Sequence, residues 1–238
     1  MSKFYAVRQG RQPGIYTEWT EAKAQIHQYK EAIYKSFQTR AEAEAFMQQG
    51  GKEEIPEGLP IAFIDGSFSK SAGLYSYGGF IEAAGSYFIL QGTGSNPEYM
   101  PDRNIAGELL GALNVSFQAQ RMGLKEIVLY FDYAGIEQFA KGSWKAKTAI
   151  AKHYQQTADL MTEAVKVYYS KVKGHTEIAG NEIADYLAKE AAGAKKKKKD
   201  IKALAEFRAD PAAYFLKADQ ETSREEAKQD ESTRTGRR

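Results

Sequence analysis

The segment "EIVLYFD", residues 126–132, constrains the fold more than any other stretch of the chain. It is too continuously apolar to keep a solvated face, so as a strand it has to lie inside a sheet covered on both sides. That requires helices on each face, and the flanking residues supply them. Upstream, "IAGELLGALNVSFQAQRMG" carries apolar residues at helical spacing and stops at Gly123. Downstream, helical patterns around 134–141 and 146–164 precede another strand, "VKVYYSKVK", and a last helix, "EIAGNEIADYLAKEAAG". Ahead of all these, "IAFIDGSF", "YSYGGFIEAA" and "SYFILQGTG" suit three strands of an antiparallel meander. Three strands followed by helices alternating with two more describe an α/β domain on a mixed five-stranded sheet, spanning residues 61–193.

Residues 1–50 form a smaller unit. "KFYAVRQG" and "GIYT" read as strands, Thr20 caps a helix whose Ala22, Ile26 and Tyr29 share a face, "AIYKSF" is a third strand, and Thr39 caps a second helix that ends at Gly50. The order is ββαβα. Residues 51–60, rich in glycine, proline and glutamate, make a linker. After "AKKKKKD", residues 194–238 read as a basic, partly disordered tail with two weakly apolar pieces, "IKALAEF" and "AAYFLKA". The net charge of +2 hides basic ends around a slightly acidic middle, a distribution suited to polyanion contact. No apolar run approaches membrane-spanning length and no signal stretch opens the chain, which sets the expectation of a soluble, cytoplasmic protein without membrane contact. The absence of cysteine excludes thiolate nucleophiles, thiolate metal sites and disulfides.

Chemistry concentrates in four carboxylates. Asp65 and Asp132 follow apolar runs, which places them at the carboxyl edge of the sheet, where open α/β folds put ligands. Glu108 lies among Ile105, Leu109, Leu110, Leu113 and Val115, so it is either paired, bound to a metal or turned outward. Asp185 stands one helical turn after Asn181, and the two share a face of the last helix. Carboxylates gathered in a dry cleft raise one another's proton affinity, and divalent cations relieve that conflict. An all-oxygen ligand set favours Mg²⁺, with Mn²⁺ as substitute, over Zn²⁺.

"FIDGSF", "NIAGELLGAL", "LYFDYAGI" and "VKGHTEIAGNEIADYLAKEA", in this order, resemble the catalytic domain of type 1 ribonuclease H over roughly residues 61–193. The resemblance implies that Asp65, Glu108, Asp132 and Asp185 hold two metal ions. It implies further that His175 is a mobile-loop histidine assisting water activation or product release, that Asn181 contacts substrate near the scissile phosphate, and that Asn104 reads the RNA strand. Two departures stand out: Tyr133 replaces a small hydroxyl residue common after the third acid, and the basic helical extension of some bacterial members is missing. "KGSWKAKTA", with Trp144, could grip the DNA strand in its place. "FYAVRQGRQPGIYTEWTEAKAQI" and "IYKSFQTRAEAEAF" resemble the hybrid-binding, or caulimovirus viroplasmin-like, domain of ribonucleases H, which implies nucleic-acid contacts at Tyr5, Trp19, Tyr34, Lys35 and Phe37. A serine, Ser36, stands where many relatives have a second lysine.

The resemblance therefore implies a monomeric endonuclease cleaving the RNA strand of RNA–DNA hybrids by a two-metal-ion mechanism, with duplex RNA as a further ligand of the small domain. Two alternatives remain at the level of sequence: a hybrid- or duplex-RNA-binding protein without catalysis, and another metal-dependent nuclease of the same fold.

Overall fold

A computed structural model describes residues 3–30, 32–48, 54–172, 178–194, 197–220 and 223. The small N-terminal unit comprises β1 (Phe4–Gln9), β2 (Gly14–Tyr16), α1 (Trp19–Ile26), β3 (Ile33–Phe37) and α2 (Arg40–Gln48). Its sheet has the order β2-β1-β3, both pairings antiparallel. Ala6, Ile33, Ala43 and Phe46 fill the core between sheet and helices. Thr39 caps α2 as expected, in a reciprocal arrangement: its Oγ1 accepts from the Glu42 N–H at 3.3 Å, and its own N–H donates to Glu42 Oε2 at 3.1 Å. The first helix differs from expectation. It starts at Trp19, with Glu18 rather than Thr20 at the N-cap, and it ends before Tyr29, because the extended backbone of His27 stops it.

The larger unit contains β4 (Ile61–Ser69), β5 (Leu74–Ala83), β6 (Ser86–Gly94), α3 (Asn104–Arg121), β7 (Glu126–Phe131), α4 (Gly135–Ala140), α5 (Ala149–Met161), β8 (Lys166–Lys171) and α6 (Ala179–Ala191). The five strands take the order β6-β5-β4-β7-β8, antiparallel on the meander side and parallel from β4 to β8. Ala84 and Gly85 make the two-residue β5–β6 turn, both in the left-handed region at φ 51° and 76°. On one face, α3, α4 and α5 cover Ala62, Ile64, Ile81, Ile127 and Leu129. On the other, α6 lays Ile183 and Leu187 against Phe63 and Phe80. α6 comes so near that a Cβ at Gly78 of β5 would meet the Ala188 nitrogen at 1.9 Å, so only glycine allows that seat. No helix among the described residues is long and apolar enough to cross a membrane.

The two weakly apolar pieces of the C-terminal tail are helical, while most of residues 221–238, where the expected disorder falls, lies outside the described residues. Residues 198–209 form a further helix, α7 (Lys198–Ala209), and 211–220 are helical as well. Leu204 and Phe207 are buried against Phe63, Phe80, Ile183 and Leu187, while Phe215 stacks on Tyr87 at 5.8 Å. The two apolar pieces are short and diluted by charge, but the aromatic face that Phe80 and Tyr87 leave open beside α6 gives them something to cover. Replacing the fully buried Phe207 by alanine should therefore lower the unfolding free energy in urea by about 3–5 kcal/mol. A tail that merely trails in solvent would show no change.

Candidate active site

The parallel strand β7 stops pairing with β4 at Phe63 and Tyr130, and β4 runs on beyond it, still paired to β5. Asp65 therefore occupies the middle of its strand instead of the end. Its position is still exposed to a ligand, because β7 ends at Phe131 and Asp132 leaves the sheet at the same level. Glu108 reaches the pair from α3. The close approach depends on Gly66, where a Cβ would lie 2.3 Å from the Asn104 carbonyl oxygen and 2.5 Å from Glu108 Cγ. Asp65, Glu108 and Asp132 each present a carboxylate oxygen, and these oxygens all lie within 4.8 Å of one another.

Glu108 is only 4% exposed. Asn104 Nδ2 donates to its Oε1 at 3.0 Å, whereas Oε2 is buried with no hydrogen-bond partner among the described residues. Burial pushes the Glu108 carboxyl well above the usual carboxylate range, the charges of Asp65 and Asp132 push it further, and the Asn104 amide opposes them. Asp65 is raised to about 8, first by burial and then by Asp132 and Asp185, against the Gly66 N–H that donates to its Oδ1 at 2.6 Å. Such a group of carboxylate oxygens, one of them orphaned, fits hard divalent cations and, among the described residues, includes no nitrogen or sulfur ligand for softer ones.

Asp185 lies outside that three-way group but shares a cavity of 440 Å³ with Asp65, Asp132 and Asn181. Its Oδ2 accepts from Lys189, one turn along α6, at 2.5 Å. Asn181 is 8% exposed, with Oδ1 unpartnered among the described residues. The same cavity is lined by Lys197, Lys199 and Asp200, none of them singled out from sequence as site residues. Lys189 was legible in its four-residue spacing from Asp185; Lys197 and Lys199 belong to the lysine run 195–199, a candidate nucleic-acid tether, but their place at this cavity arrives with α7. His175 lies outside the described residues.

The N-terminal candidates are also gathered. Tyr5, Trp19 and Tyr34 form a row with ring centroids 5.3 Å and 6.1 Å apart, Trp19 and Tyr34 being exposed. Phe37 instead packs on the core residue Phe46 at 5.3 Å. Trp144 lies edge-on to Phe139 and donates its indole N–H to the Ala32 carbonyl at 3.3 Å, bridging the two units. Arg8 donates to Ser143 Oγ at 2.6 Å and Lys35 to the Gly142 carbonyl at 3.3 Å in the same junction. A groove of 1090 Å³ runs between them, with Tyr34, Lys35 and Ser36 on one wall and Trp144, Lys145 and Lys147 on the other.

The raised proton affinity of Asp65 has a measurable consequence. Its carboxyl binds a proton more tightly folded than unfolded, so the metal-free protein should lose stability as pH rises from about 4 to about 8. Asp65→Asn should flatten that slope and stabilise the metal-free protein at pH 8, by roughly 1–3 kcal/mol in urea unfolding. Adding Mg²⁺ or Mn²⁺ should stabilise the unsubstituted protein at pH 8 and have far less effect on the variant.

Residues 60–193 match the family described as RNase H, and residues 3–47 match the Ribonuclease H1 N-terminal domain. Ribonuclease H1 of Mus musculus is 25% identical over 264 aligned residues, covering 81% of this chain and 90% of its own length. That of Homo sapiens is 26% identical over 254, covering 79% and 89%. RNase H1 from the halophilic archaeon Halobacterium salinarum superposes on 57% of this chain and 98% of its own, with a TM-score of 0.46 and 21% identity. With one matched segment covering more than half of its length, and the other carrying the three-residue aromatic row, the chain belongs to the ribonuclease H family.

Proposed function

We propose that this protein hydrolyses the RNA strand of RNA–DNA hybrids, with Asp65, Glu108 and Asp132 as the residues that hold divalent metal, joined by Asp185 on the rim of the same cavity. The observation that carries this reading is the convergence of three carboxylates within 4.8 Å, at a buried site, in a member of the ribonuclease H family. Divalent ions held by these carboxylates would supply an activated water and a counter-charge for the leaving oxygen of a phosphodiester. Mg²⁺ and Mn²⁺ suit the all-oxygen donor set best.

The chain's own residues hold and orient the reactants. Asn104 fixes the Glu108 carboxylate through one oxygen and leaves the other, among the described residues, without a hydrogen-bond partner. The Asn181 amide sits in the cavity wall beside Asp185, where it can donate to a phosphate or sugar oxygen of the strand being cut. His175, which precedes α6 in the sequence, takes the role the resemblance implies, assisting water activation or product release. The Tyr5–Trp19–Tyr34 row stacks on sugars or bases of the hybrid, with Lys35 as phosphate partner. Trp144 and the neighbouring lysines line the groove that leads from this row towards the catalytic domain, a path for the DNA strand.

Asp132→Asn should abolish Mg²⁺-dependent cleavage of a labelled hybrid while leaving hybrid binding within about threefold. Residual metal-dependent turnover in a preparation free of host nucleases would contradict the reading. Trp19→Ala should weaken hybrid binding about tenfold, consistent with the loss of one stacking contact, and change the rate at saturating hybrid little. A fall in the saturated rate with unaltered affinity would remove the small domain from substrate binding.

A further inference from the structure

The lysine run that follows the last helix of the family-matched region is the feature the proposed function leaves unused. We propose that Lys197 and Lys199 form a cationic wall of the active-site cavity and hold a phosphate of the RNA strand next to the one being cut. This rests on the hybrid-hydrolase reading and adds to it a substrate contact from outside both family-matched segments, which end at residues 47 and 193.

Both lysines line the cavity that contains Asp65, Asp132, Asn181 and Asp185. Lys189, the third ammonium there, is committed to Asp185. Among the described residues neither Lys197 nor Lys199 is ion-paired with a carboxylate; Lys199 lies beside the Tyr186 hydroxyl. Their backbone is fixed. Lys197 is the N-cap of α7, its N–H donates to Asp200 Oδ2 at 3.1 Å, and Asp200 is 5% exposed. One and two turns further on, Leu204 and Phe207 are buried on the sheet, and Arg208 pairs with Glu190 of α6. The helix is therefore held at both ends of its first three turns, so ordering these two side chains on a polyanion costs only their own rotamer freedom. A wall of ammonium groups beside a carboxylate group that takes up divalent cations matches the charge alternation of a phosphodiester chain: metal at the reacting phosphate, lysine at its neighbour. The competing role is internal, with the lysines neutralising Asp65 and Asp132 until metal displaces them.

The two roles separate in one comparison on the full chain. Lys197→Gln/Lys199→Gln is set against Lys198→Gln/Lys202→Gln, which removes the same charge from the same helix at positions that do not line the cavity. Binding of a labelled RNA–DNA hybrid is measured by fluorescence anisotropy over a salt series in an Asp132→Asn background, and steady-state cleavage is measured with Asp132 restored. The cavity pair should raise Kd and KM about three- to tenfold, leave kcat within about twofold, and lower the slope of log Kd against log salt by about 1 for each lysine lost. The control pair should change the slope by less than half as much. Equal losses in the two variants would overturn the proposal in favour of a general charge effect. Unchanged hybrid affinity with tighter Mn²⁺ binding by calorimetry would overturn it in favour of the internal counter-ion role. If the unsubstituted enzyme cleaved no hybrid at all, the hydrolase reading would fall, while the anisotropy arm would still report whether these lysines contact nucleic acid.

Discussion

The approach of helix α3 to strand β4 at Gly66 is the contact on which the rest of the site depends. A side chain there would collide with backbone of the helix, so its absence is what lets Glu108 come from a separate element to within 4.8 Å of Asp65. Once the helix is that close, the carboxylate it carries is almost fully buried, and three acids share a space that cannot solvate three charges. In the metal-free state the protein keeps protons on Asp65 and Glu108 at pH values where free carboxylates have lost theirs. A metal ion held among these oxygens would relieve that conflict.

The sheet divides labour between its faces. One face, under α3, α4 and α5, is a continuous aliphatic core that fixes β4 and β7 and so fixes the spacing of Asp65 and Asp132. The other is covered by a single helix of the matched domain, α6, which leaves Phe80 and Tyr87 in need of cover. The C-terminal helices provide it through Leu204, Phe207 and Phe215. Their docking also decides what surrounds the cavity beside Asp65 and Asp185, since the turn that begins α7 is the turn that brings Lys197 and Lys199 to its wall. A packing requirement on one side of the sheet thus changes the electrostatics at its edge.

At the junction of the two domains, groups suited to nucleic acid are partly engaged with protein. Arg8, Lys35 and Trp144 all make hydrogen bonds across it, while Tyr34, Lys145 and Lys147 face the groove. Each of those bonds is single and at least partly solvent-accessible, so replacing one by a phosphate contact costs little net energy. The junction therefore sets the relative placement of the aromatic row and the acidic group without locking the side chains that line the path between them.

The sequence by itself determined the elements and the chemistry. The apolar strand ending in Asp132, the meander before it, the capped helix after Thr39 and the apolar helix around Glu108 are local patterns, and local patterns follow from side-chain period and capping. The four acids were legible because carboxylates beside core-forming residues are costly and stand out. Tertiary structure alone decided three further matters. Asp65 is mid-strand, because how far β4 outruns β7 is a register between strands far apart in sequence. Asp185 lies beside, not within, the closest group, because a helix's tilt across a sheet is set by contacts such as Gly78 against Ala188. The charged C-terminal region folds onto the domain, because sparse apolar residues carry weak periodicity and acquire a structural role only when a complementary aromatic surface, assembled elsewhere in the chain, is there to receive them.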